Sequence, residues 1–326
     1  MVDKKPRVSI GMPVYNGDRF LKQALDSVLA QTFQDFELII SDNGSTDTTQ
    51  EICRDYADRD QRIRYYRNEQ NLGGAWNFNR VFELSTADYF RWACHDDMCA
   101  PELLERCVEV LDRKPSVVLC YPKTSVIDEN GKHIEHYPDN LNLCSPKPHE
   151  RYKRFHERYR HGASCNVLFG LIRTSILKMT PLMGSYPSSD IVLLAEFALL
   201  GEYYEVPEYL FLRREHPQTS RGAYRAFRDR LAWYNPAKKG HLHLTRWKWF
   251  SEYLAAIGRV QISQGEKAGC YMQMMQWFMW NWTKLVKDLV KAATWPFLKP
   301  FLSFESDSQF KKPTPVKQFL NQDRLG

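Results

Sequence analysis

The first 130 residues alternate short apolar runs with longer segments whose apolar residues recur every three or four positions. The short runs are typical of buried strands, and the longer spacing is typical of amphipathic helices. The predicted strands are 8–14, 36–40, 63–66, 89–93 and 117–121, and the predicted helices are 18–31, 47–56, 75–84 and 101–111. Strands separated by helices in this way predict an α/β fold with a mostly parallel sheet.

The second half of the chain has a less regular pattern. Residues 131–160 are polar and lack a clear period, so we expect a loop or lid there. A helix is predicted over 188–200, followed by a pair of strands around Pro207. From about Thr219 onward the pattern is helical, and the segment from Phe304 to the end is expected to be a loosely ordered tail.

Polar clusters follow three of the predicted strands. They are 13–16 after the first strand, 42–44 after the second and 96–97 after the fourth. Ligands of parallel α/β sheets bind beyond the carboxyl ends of the strands. The fold therefore predicts that the three clusters share one crevice.

Asp96 and Asp97 are adjacent carboxylates at the end of an apolar strand, where their charges need a partner. A hard divalent cation such as Mg²⁺ or Mn²⁺ would neutralise them, because such ions bind one or two carboxylates together with substrate phosphates. The alternative is structural: Asp97 lies four residues before Pro101 and could cap the following helix. The spacing alone leaves both interpretations open.

Four other side chains have both a structural and a functional interpretation. Asp42 precedes turn residues and fits a cap, although its position also allows a hydrogen bond to a nucleobase. Tyr15 is either a partly buried aromatic residue that packs against its neighbours or a ring that stacks on that base. Asp190 either stabilises a helix N-terminus by its charge or acts as a general base. His216 is either structural or a ligand of metal or phosphate.

Composition narrows the class of protein. The 326 residues have 43% hydrophobic and 26% charged side chains, and no apolar run reaches the roughly 18 residues that a spanning helix needs. The N-terminus lacks the apolar core of a signal peptide, so we expect a cytoplasmic protein. The 8 cysteines are scattered without a Cys-x-x-Cys pair, which favours free thiols over a zinc site or disulfides.

The net charge of +6 is concentrated near the C-terminus. Residues 237–300 contain ten Lys or Arg against three acids, which is +7, and the rest of the chain sums to −1. Seven of the nine tryptophans also lie beyond residue 230. Local basic and aromatic character favours helices resting on an anionic membrane rather than a nucleic-acid binder. A packed helical subdomain or an oligomer interface is the alternative.

Several common chemistries lack their motifs. No Gly-x-Gly-x-x-Gly follows the first strand, which argues against a dinucleotide-binding enzyme. A Walker A lysine and a Gly-x-Ser-x-Gly elbow are also missing, which argues against P-loop hydrolysis and against an α/β hydrolase.

Three blocks of sequence, 8–49, 71–104 and 188–220, together resemble family 2 glycosyltransferases of the GT-A, Rossmann-like fold. The resemblance implies transfer with inversion at the anomeric carbon and no covalent intermediate. It also implies site residues. Asp190 would be the catalytic base, and Asp96, Asp97 and His216 would bind the metal. The nucleotide-sugar site would comprise Pro13, Tyr15, Asn16, Asp42, Asn71, Gly73, Asn79 and Asp96. Cys94 stands where many members have the first Asp of their metal motif.

The resemblance predicts a glycosyltransferase domain over 1–220, with a nucleotide-binding half (1–130) and an acceptor half (131–220), followed by a basic helical segment over 221–326. The expected activity is Mn²⁺- or Mg²⁺-dependent transfer from a nucleotide-sugar donor, a UDP-sugar, to a glycan or lipid-linked acceptor. The protein would lie in the cytoplasm or peripherally on the membrane. A catalytically inactive sugar-nucleotide or glycan-binding module is the alternative, and a sugar-phosphate nucleotidyltransferase fits less well.

Overall fold

The computed structural model describes residues 5–161, 164–219, 227–238 and 241–302. The strands are β1 (Val8–Val14), β2 (Phe36–Asp42), β3 (Ile63–Arg67), β4 (Tyr89–Trp92), β5 (Met98–Cys99), β6 (Val117–Ile127), β7 (His133–Tyr137), β8 (Leu171–Arg173) and β9 (Glu202–Arg214). The helices are α1 (Asp18–Leu29), α2 (Thr49–Arg59), α3 (Gly74–Glu83), α4 (Leu103–Arg113), α5 (Pro148–Arg160), α6 (Thr174–Leu177), α7 (Ser189–Leu200), α8 (Phe227–Tyr234), α9 (Thr245–Arg259) and α10 (Gln264–Leu302). Short 3-10 helices occupy Asn166–Phe169 and Pro236–Lys238.

The strands form one sheet in the order β3-β2-β1-β4-β8-β6-β9-β5, with β7 paired to β6. The four strands β3, β2, β1 and β4 run parallel to one another, as the alternation of strands and helices predicts. In the second half β8 pairs antiparallel with β4 and β6, whereas β9 runs parallel to β6. The predicted α/β fold is confirmed, and the antiparallel pairs involve β5, β7 and β8.

Hydrophobic cores cover both faces of the sheet. All residues of β1 and β2 are buried, which is typical of parallel strands with helices on each side. Helices α1, α2 and α4 pack on one face, and α3, α5, α7, α9 and α10 supply the core on the other. The free thiols expected for the cysteines are confirmed.

The prediction of a loop or lid over 131–160 is wrong, because this stretch contains β7 and α5. Strand β7 is an edge strand with nearly all its residues exposed, so it has no apolar alternation. Helix α5 buries Arg151, Tyr152, Phe155 and His156, and a buried face with so few aliphatic residues carries no clear helical period.

The predicted strand pair around Pro207 is also wrong, because β9 is continuous from Glu202 to Arg214. Val206 pairs with Pro122, and the next paired residue, Tyr209, faces Lys123. The two residues between them bulge out of the ladder. A bulge accommodates a proline, which cannot donate to the ladder, and so the strand continues past it.

The helical pattern predicted beyond Thr219 is present as α8, α9 and α10 in the described residues, whereas the expected tail from Phe304 lies outside them. Helices α9 and α10 pack on α5 and α7 and contribute Tyr253, Ile257, Met274 and Trp277 to the core. In the described part of the chain, no helix combines the length and apolar character needed to cross a membrane.

Candidate active site

The three strand ends meet as the fold predicts. Val14, the last residue of β1, is in register with Asp42, the last residue of β2. The backbone N–H of Asn16 donates to Ser45 Oγ over 2.9 Å, which joins the first two clusters. A Cβ on Gly17 would lie 2.5 Å from the His95 ring, so the loop after β4 packs directly on the loop after β1.

Asn16 adopts a left-handed backbone conformation, with φ of 49°. Asparagine tolerates this region better than most residues do. Its side-chain Oδ1 accepts the Thr46 N–H over 2.9 Å. Beside it the Tyr15 side chain is 39% exposed, whereas Pro13 is buried within β1. Tyr15, Asn16 and Thr46 are therefore exposed in this part of the crevice, and Tyr15 is the aromatic residue among them.

Asp42 is fully buried and bonded on both carboxylate oxygens. Oδ1 accepts the Ser45 N–H over 2.8 Å, which is the turn contact that its structural interpretation predicts. Oδ2 accepts the Tyr65 hydroxyl over 2.9 Å and lies 3.4 Å from Arg67 Nε. Asp42 thus organises the floor of the crevice, and it fixes the side chains of Tyr65 and Arg67 there.

Asn43 joins the loops after β2 and β3, a role that the sequence reasoning missed. Its Nδ2 donates to Asn71 Oδ1 over 2.9 Å, and its Oδ1 accepts the Leu72 N–H over 3.1 Å. Asn71 Oδ1 also accepts the Gly73 N–H over 2.8 Å. The sequence contained a signal for this role, because Asn43 directly follows Asp42 in the polar cluster after β2.

Gly73 precedes α3 with φ of 97°, a conformation that favours glycine. A Cβ there would lie 2.6 Å from the Tyr234 carbonyl oxygen, so α8 closes over this loop. Asn79 points elsewhere: its Nδ2 donates to the Met183 carbonyl over 3.0 Å, and its Oδ1 accepts the Met183 N–H over 2.9 Å. The structure brings Asn71 and Gly73 together, but it commits Asn79 to the acceptor half.

The predicted acidic pair lies beside the end of β9. Asp96 Oδ2 is 3.0 Å from His216 Nε2, and Asp97 Oδ1 accepts the Arg214 N–H over 2.8 Å. Helix α4 begins at Leu103, after an N-cap residue that makes no side-chain cap bond. The alternative that Asp97 caps this helix is therefore wrong, and its carboxylate instead joins β9.

Arg214 holds this arrangement together, and the sequence reasoning did not assign it a role. It is 1% exposed, and its Nε donates to the Asp96 carbonyl over 2.8 Å. Its other nitrogens donate to the Glu129 carbonyl over 2.9 Å and to Gln23 Oε1 over 2.7 Å. Burial lowers the pKa of Arg214. The guanidinium thus fastens α1, β9 and the Asp96–Asp97 turn together.

The two carboxyl groups differ in their electrostatics. Burial, reinforced by the charge of Asp96, raises the pKa of Asp97. Burial also opposes ionisation of Asp96, but the hydrogen bond from His216 and the charge of His95 outweigh it and lower its pKa. Two carboxyl groups that disfavour joint ionisation form a site in which a cation would stabilise both charges.

The donor set fits a divalent cation. One ligand atom each from Cys94, Asp96 and Asp97 lies within 4.8 Å of the others. Among the described residues His216 Nδ1 is buried without a hydrogen-bond partner. Burial and the neighbouring carboxylates raise the pKa of Cys94 well above its usual range, so its thiol keeps its proton. The two carboxylates therefore offer the oxygen atoms, and hard oxygen ligands are those that suit Mg²⁺ and Mn²⁺.

Asp190 lies apart, in the first turn of α7. Ser188 before it adopts a left-handed conformation with φ of 63°, and the Ser188 N–H donates to the Tyr234 hydroxyl over 3.1 Å. Asp190 Oδ1 is buried and has no hydrogen-bond partner in the described ranges. A buried carboxylate oxygen without a donor can accept a proton or a hydrogen bond from a bound group.

A sequence model described as glycosyl transferase family 2 matches residues 9–179. The chain belongs to this family. Among curated relatives, an uncharacterised glycosyltransferase of Rickettsia typhi is 32% identical over 152 residues, which are 46% of this chain and 43% of that protein. One of Haemophilus influenzae is 39% identical over 101 residues, 31% of this chain and 40% of that protein. The chain thus spans less than half the length of these relatives.

Two solved structures of one protein, TarS, share the fold of this chain. Staphylococcus aureus TarS 1-349 superposes with a TM-score of 0.61 at 16% identity, covering 91% of this chain and 86% of that one. Its complex with UDP-GlcNAc gives a TM-score of 0.60 at 15% identity, covering 85% and 73%. The chain thus contains a glycosyl transferase family 2 domain, and the likeness to TarS shows that it shares the GT-A arrangement of sheet and helices.

Proposed function

We propose that this glycosyltransferase is metal-dependent and inverting, and that it moves a sugar from a UDP-sugar to a hydroxyl of a growing glycan or a lipid-linked acceptor. The observation that carries the proposal is the pairing of two different acidic sites. Asp96 and Asp97 form a fixed pair beside His216, whereas Asp190 offers a free carboxylate oxygen elsewhere.

The acidic pair suits the leaving group. Asp96 and Asp97, with His216 next to them, would hold Mn²⁺ or Mg²⁺. Such an ion stabilises the negative charge on a departing diphosphate as a Lewis acid. Arg214 positions the pair by binding the Asp96 carbonyl and donating its N–H to Asp97. Tyr15 is exposed at the strand ends, where its ring can stack on the uracil base.

Asp190 suits the attacking group. Its Oδ1 accepts the proton of the acceptor hydroxyl while that oxygen forms a bond to the anomeric carbon. The bond between the anomeric carbon and the diphosphate oxygen breaks with its electron pair, and UDP leaves. Attack from the face opposite the leaving group inverts the anomeric centre, and the enzyme forms no covalent bond to the sugar.

The donor assignment rests on a related structure. TarS, which shares the fold, has been solved with UDP-GlcNAc. In this chain the buried Asp42 and Asn43 lie at the carboxyl end of β2, and Asn43 bonds the half-buried Asn71 in the loop after β3. A nucleotide site at this edge is what parallel α/β sheets favour.

Nucleotide binding by the whole chain tests the donor. We expect UDP with Mn²⁺ to raise the melting temperature by several degrees, since a ligand at 100 times its dissociation constant stabilises by about 2.7 kcal/mol. EDTA should abolish the shift, and GDP, dTDP and CDP should give smaller ones. A larger shift with another nucleotide would replace UDP as the donor. No shift with any nucleotide would favour the inactive binding module, for which Cys94 is the supporting feature.

We also propose that α10 rests on an anionic membrane, on the cytoplasmic face, where a lipid-linked acceptor would be found. Its inner side packs against α5 and α9, but its outer side exposes apolar residues at intervals of three and four. These exposed residues are Met272, Met275, Met279, Trp282, Val286 and Leu289. The same helix carries exposed Lys284, Lys287 and Lys291, whose charges complement anionic lipid.

Flotation with vesicles containing phosphatidylglycerol tests this surface. We expect the wild type to float, and the double variant Met275→Glu with Met279→Glu to lose binding by tenfold or more. Met179→Glu is the matched control, because Met179 is 53% exposed and lies outside α10. Absence of flotation by the folded wild type would contradict the membrane proposal. A dimer dissociated by the double variant would instead assign the surface to a second copy of the chain.

A further inference from the structure

Lysine and arginine side chains collect where α9 begins and crosses α10, beyond the residues that the family model matches. The Trp247 indole N–H donates to the Leu285 carbonyl over 3.1 Å. The Arg246 N–H donates to Asp288 Oδ2 over 2.9 Å, so the first turn of α9 lies beside residues 285–288. We call the cations gathered around this crossing the basic cluster. Its members are Lys238, Arg246, Lys248, Lys284, Lys287 and Lys291.

Two acids offset part of the positive charge of the basic cluster. Lys248 Nζ donates to Glu252 Oε1 over 2.7 Å, and Asp288 is bonded to the backbone of α9. The six cations therefore keep an excess of positive charge. Burial, together with the charges of Arg246 and Lys287, lowers the pKa of Lys284. Like charges that are held close together repel one another, so this arrangement favours the binding of an anion.

The basic cluster adjoins the loop that precedes Asp190. Lys238 Nζ donates to the Ser185 carbonyl over 3.1 Å, and Lys248 Nζ lies 5.4 Å from the centre of the Tyr186 ring. The four residues of chain that lead from Tyr186 to Asp190 span at most about 14 Å. The cations therefore lie near enough to Asp190 for one acceptor molecule to contact both.

Trp249 joins the basic cluster to the same loop. Its indole N–H donates to the Pro187 carbonyl over 2.8 Å, and the guanidinium carbon of Arg246 lies 4.3 Å from the centre of its ring. A cation over the face of an indole is attracted to the ring. Arg246 is thus held beside the loop, and a side chain that is already ordered loses less entropy when it binds an anion.

We propose that the basic cluster binds a phosphate group of the acceptor while the acceptor hydroxyl lies at Asp190. The proposal deepens the proposed function, and it rests on the role of Asp190 as the base. The arginine can donate two parallel N–H bonds to a phosphate, and the lysines supply point charges. A neutral glycan would leave the excess charge without a partner. The acceptor class that fits is therefore a glycan or lipid that carries a phosphate or diphosphate.

Calorimetric titration of the whole chain with inorganic diphosphate and with farnesyl diphosphate tests the cluster. The buffer contains EDTA, so that the donor site lacks the metal that would hold a diphosphate there. We expect the double variant Lys284→Gln with Lys287→Gln to bind both ligands about tenfold more weakly, as for the loss of two exposed ion pairs. Tighter binding of farnesyl diphosphate than of inorganic diphosphate would assign the phosphate to a lipid carrier, and equal affinities would assign it to a water-soluble acceptor.

Lys153→Gln with Lys178→Gln is the matched control, because it removes the same charge from two exposed lysines outside the basic cluster. Its affinity for diphosphate should stay within about twofold of wild type. Equal losses in the two double variants would overturn the proposal, and so would absence of diphosphate binding by the folded wild type. Loss of flotation with phosphatidylglycerol vesicles in the Lys284 and Lys287 variant, at unchanged diphosphate affinity, would assign the cations to membrane lipid and overturn it as well.

Asp97→Asn separates this site from the donor site. We expect it to weaken the thermal shift with UDP and Mn²⁺ and to leave diphosphate binding in EDTA unchanged. Loss of both in Asp97→Asn would place the diphosphate at the donor site and overturn the proposal. Diphosphate binding by a wild type that shows no shift with any nucleotide and Mn²⁺ would support the anion site and count against the proposed function.

Discussion

The two acidic regions of this protein are built in opposite ways. Asp96 and Asp97 are bonded to β9 through His216 and the backbone of Arg214, and the pair carries more negative charge than its buried surroundings favour. Asp190 is a single carboxylate with one buried oxygen that has no partner in the described residues. In the proposed mechanism this difference separates their roles: the pair would hold a cation, and the single acid would take a proton.

The largest expected effects come from removing each charge in turn. Asp97→Asn and Asp190→Asn should each lower kcat by about 10²–10⁴-fold, the range found for general acid–base groups. Only Asp97→Asn should also weaken Mn²⁺ binding, which isothermal titration calorimetry measures directly. Equal loss of Mn²⁺ affinity in both variants would show that the two regions form one site, and the comparison would fail.

Removing the Arg214 side chain should disturb only the acidic pair. Arg214→Met leaves the Asp96 and Glu129 carbonyls without their buried donor, so we expect the free energy of unfolding to fall by about 3 kcal/mol. Urea denaturation measures this loss. Arg19→Met is the control, because its exposed pair with Glu129 is worth less than about 1 kcal/mol. Similar losses in both variants would contradict the positioning role of Arg214.

A Cβ at Gly73 should disturb the contact between the loop after β3 and α8, away from the acidic pair. Gly73→Ala combines an unfavourable φ with a clash against the Tyr234 carbonyl, and we expect the free energy of unfolding to fall by about 2 kcal/mol. Gly131→Ala is the control, since its φ is 83° but nothing lies near its Cβ. That variant should lose about 1 kcal/mol. Equal losses in urea denaturation would mean that α8 does not close on this loop.

The last expected effect is the pH dependence of Mn²⁺ binding, which should depend on Asp97 in the acidic pair. Burial and Asp96 raise the pKa of Asp97 to about 8, so protons compete with the metal below that value. We expect Mn²⁺ affinity to rise about fiftyfold from pH 6 to pH 8, since the ionised fraction of Asp97 rises from about 1% to about 50% over this range, as calorimetry would measure. In the metal-free protein the same raised pKa makes the contribution of Asp97 to folding stability decline as pH rises toward 8. Asp97→Asn should remove both dependences.

Much of the N-terminal half was predictable because its signals are local. The strands β1, β2 and β4 are short apolar runs, and polar residues follow each of them, so the crevice at their ends followed from the topology. The membership of family 2 was also visible in the sequence. Helix α5 was missed because its buried face consists of Arg, Tyr, Phe and His.

The parts of the site that were missed depend on contacts between distant residues. Arg214 contacts Asp96, 118 residues away in sequence, and no local pattern predicts that pairing. Asn79 matches the motif of the family, yet in the structure it bonds Met183, 104 residues away. A motif predicts which residues are present, whereas hydrogen-bond partners depend on how the elements pack.

The sequence by itself determined the alternation of strands and helices in the first 130 residues, the polar clusters at the strand ends and the family, because each depends on neighbouring residues. Only the tertiary structure decided that Asp97 bonds β9 and does not cap α4, and that the Tyr234 hydroxyl accepts the N–H of Ser188 in the loop before α7. The physical reason is that burial and long-range hydrogen bonds set the charge state and orientation of a side chain, and both arise only when distant segments pack together.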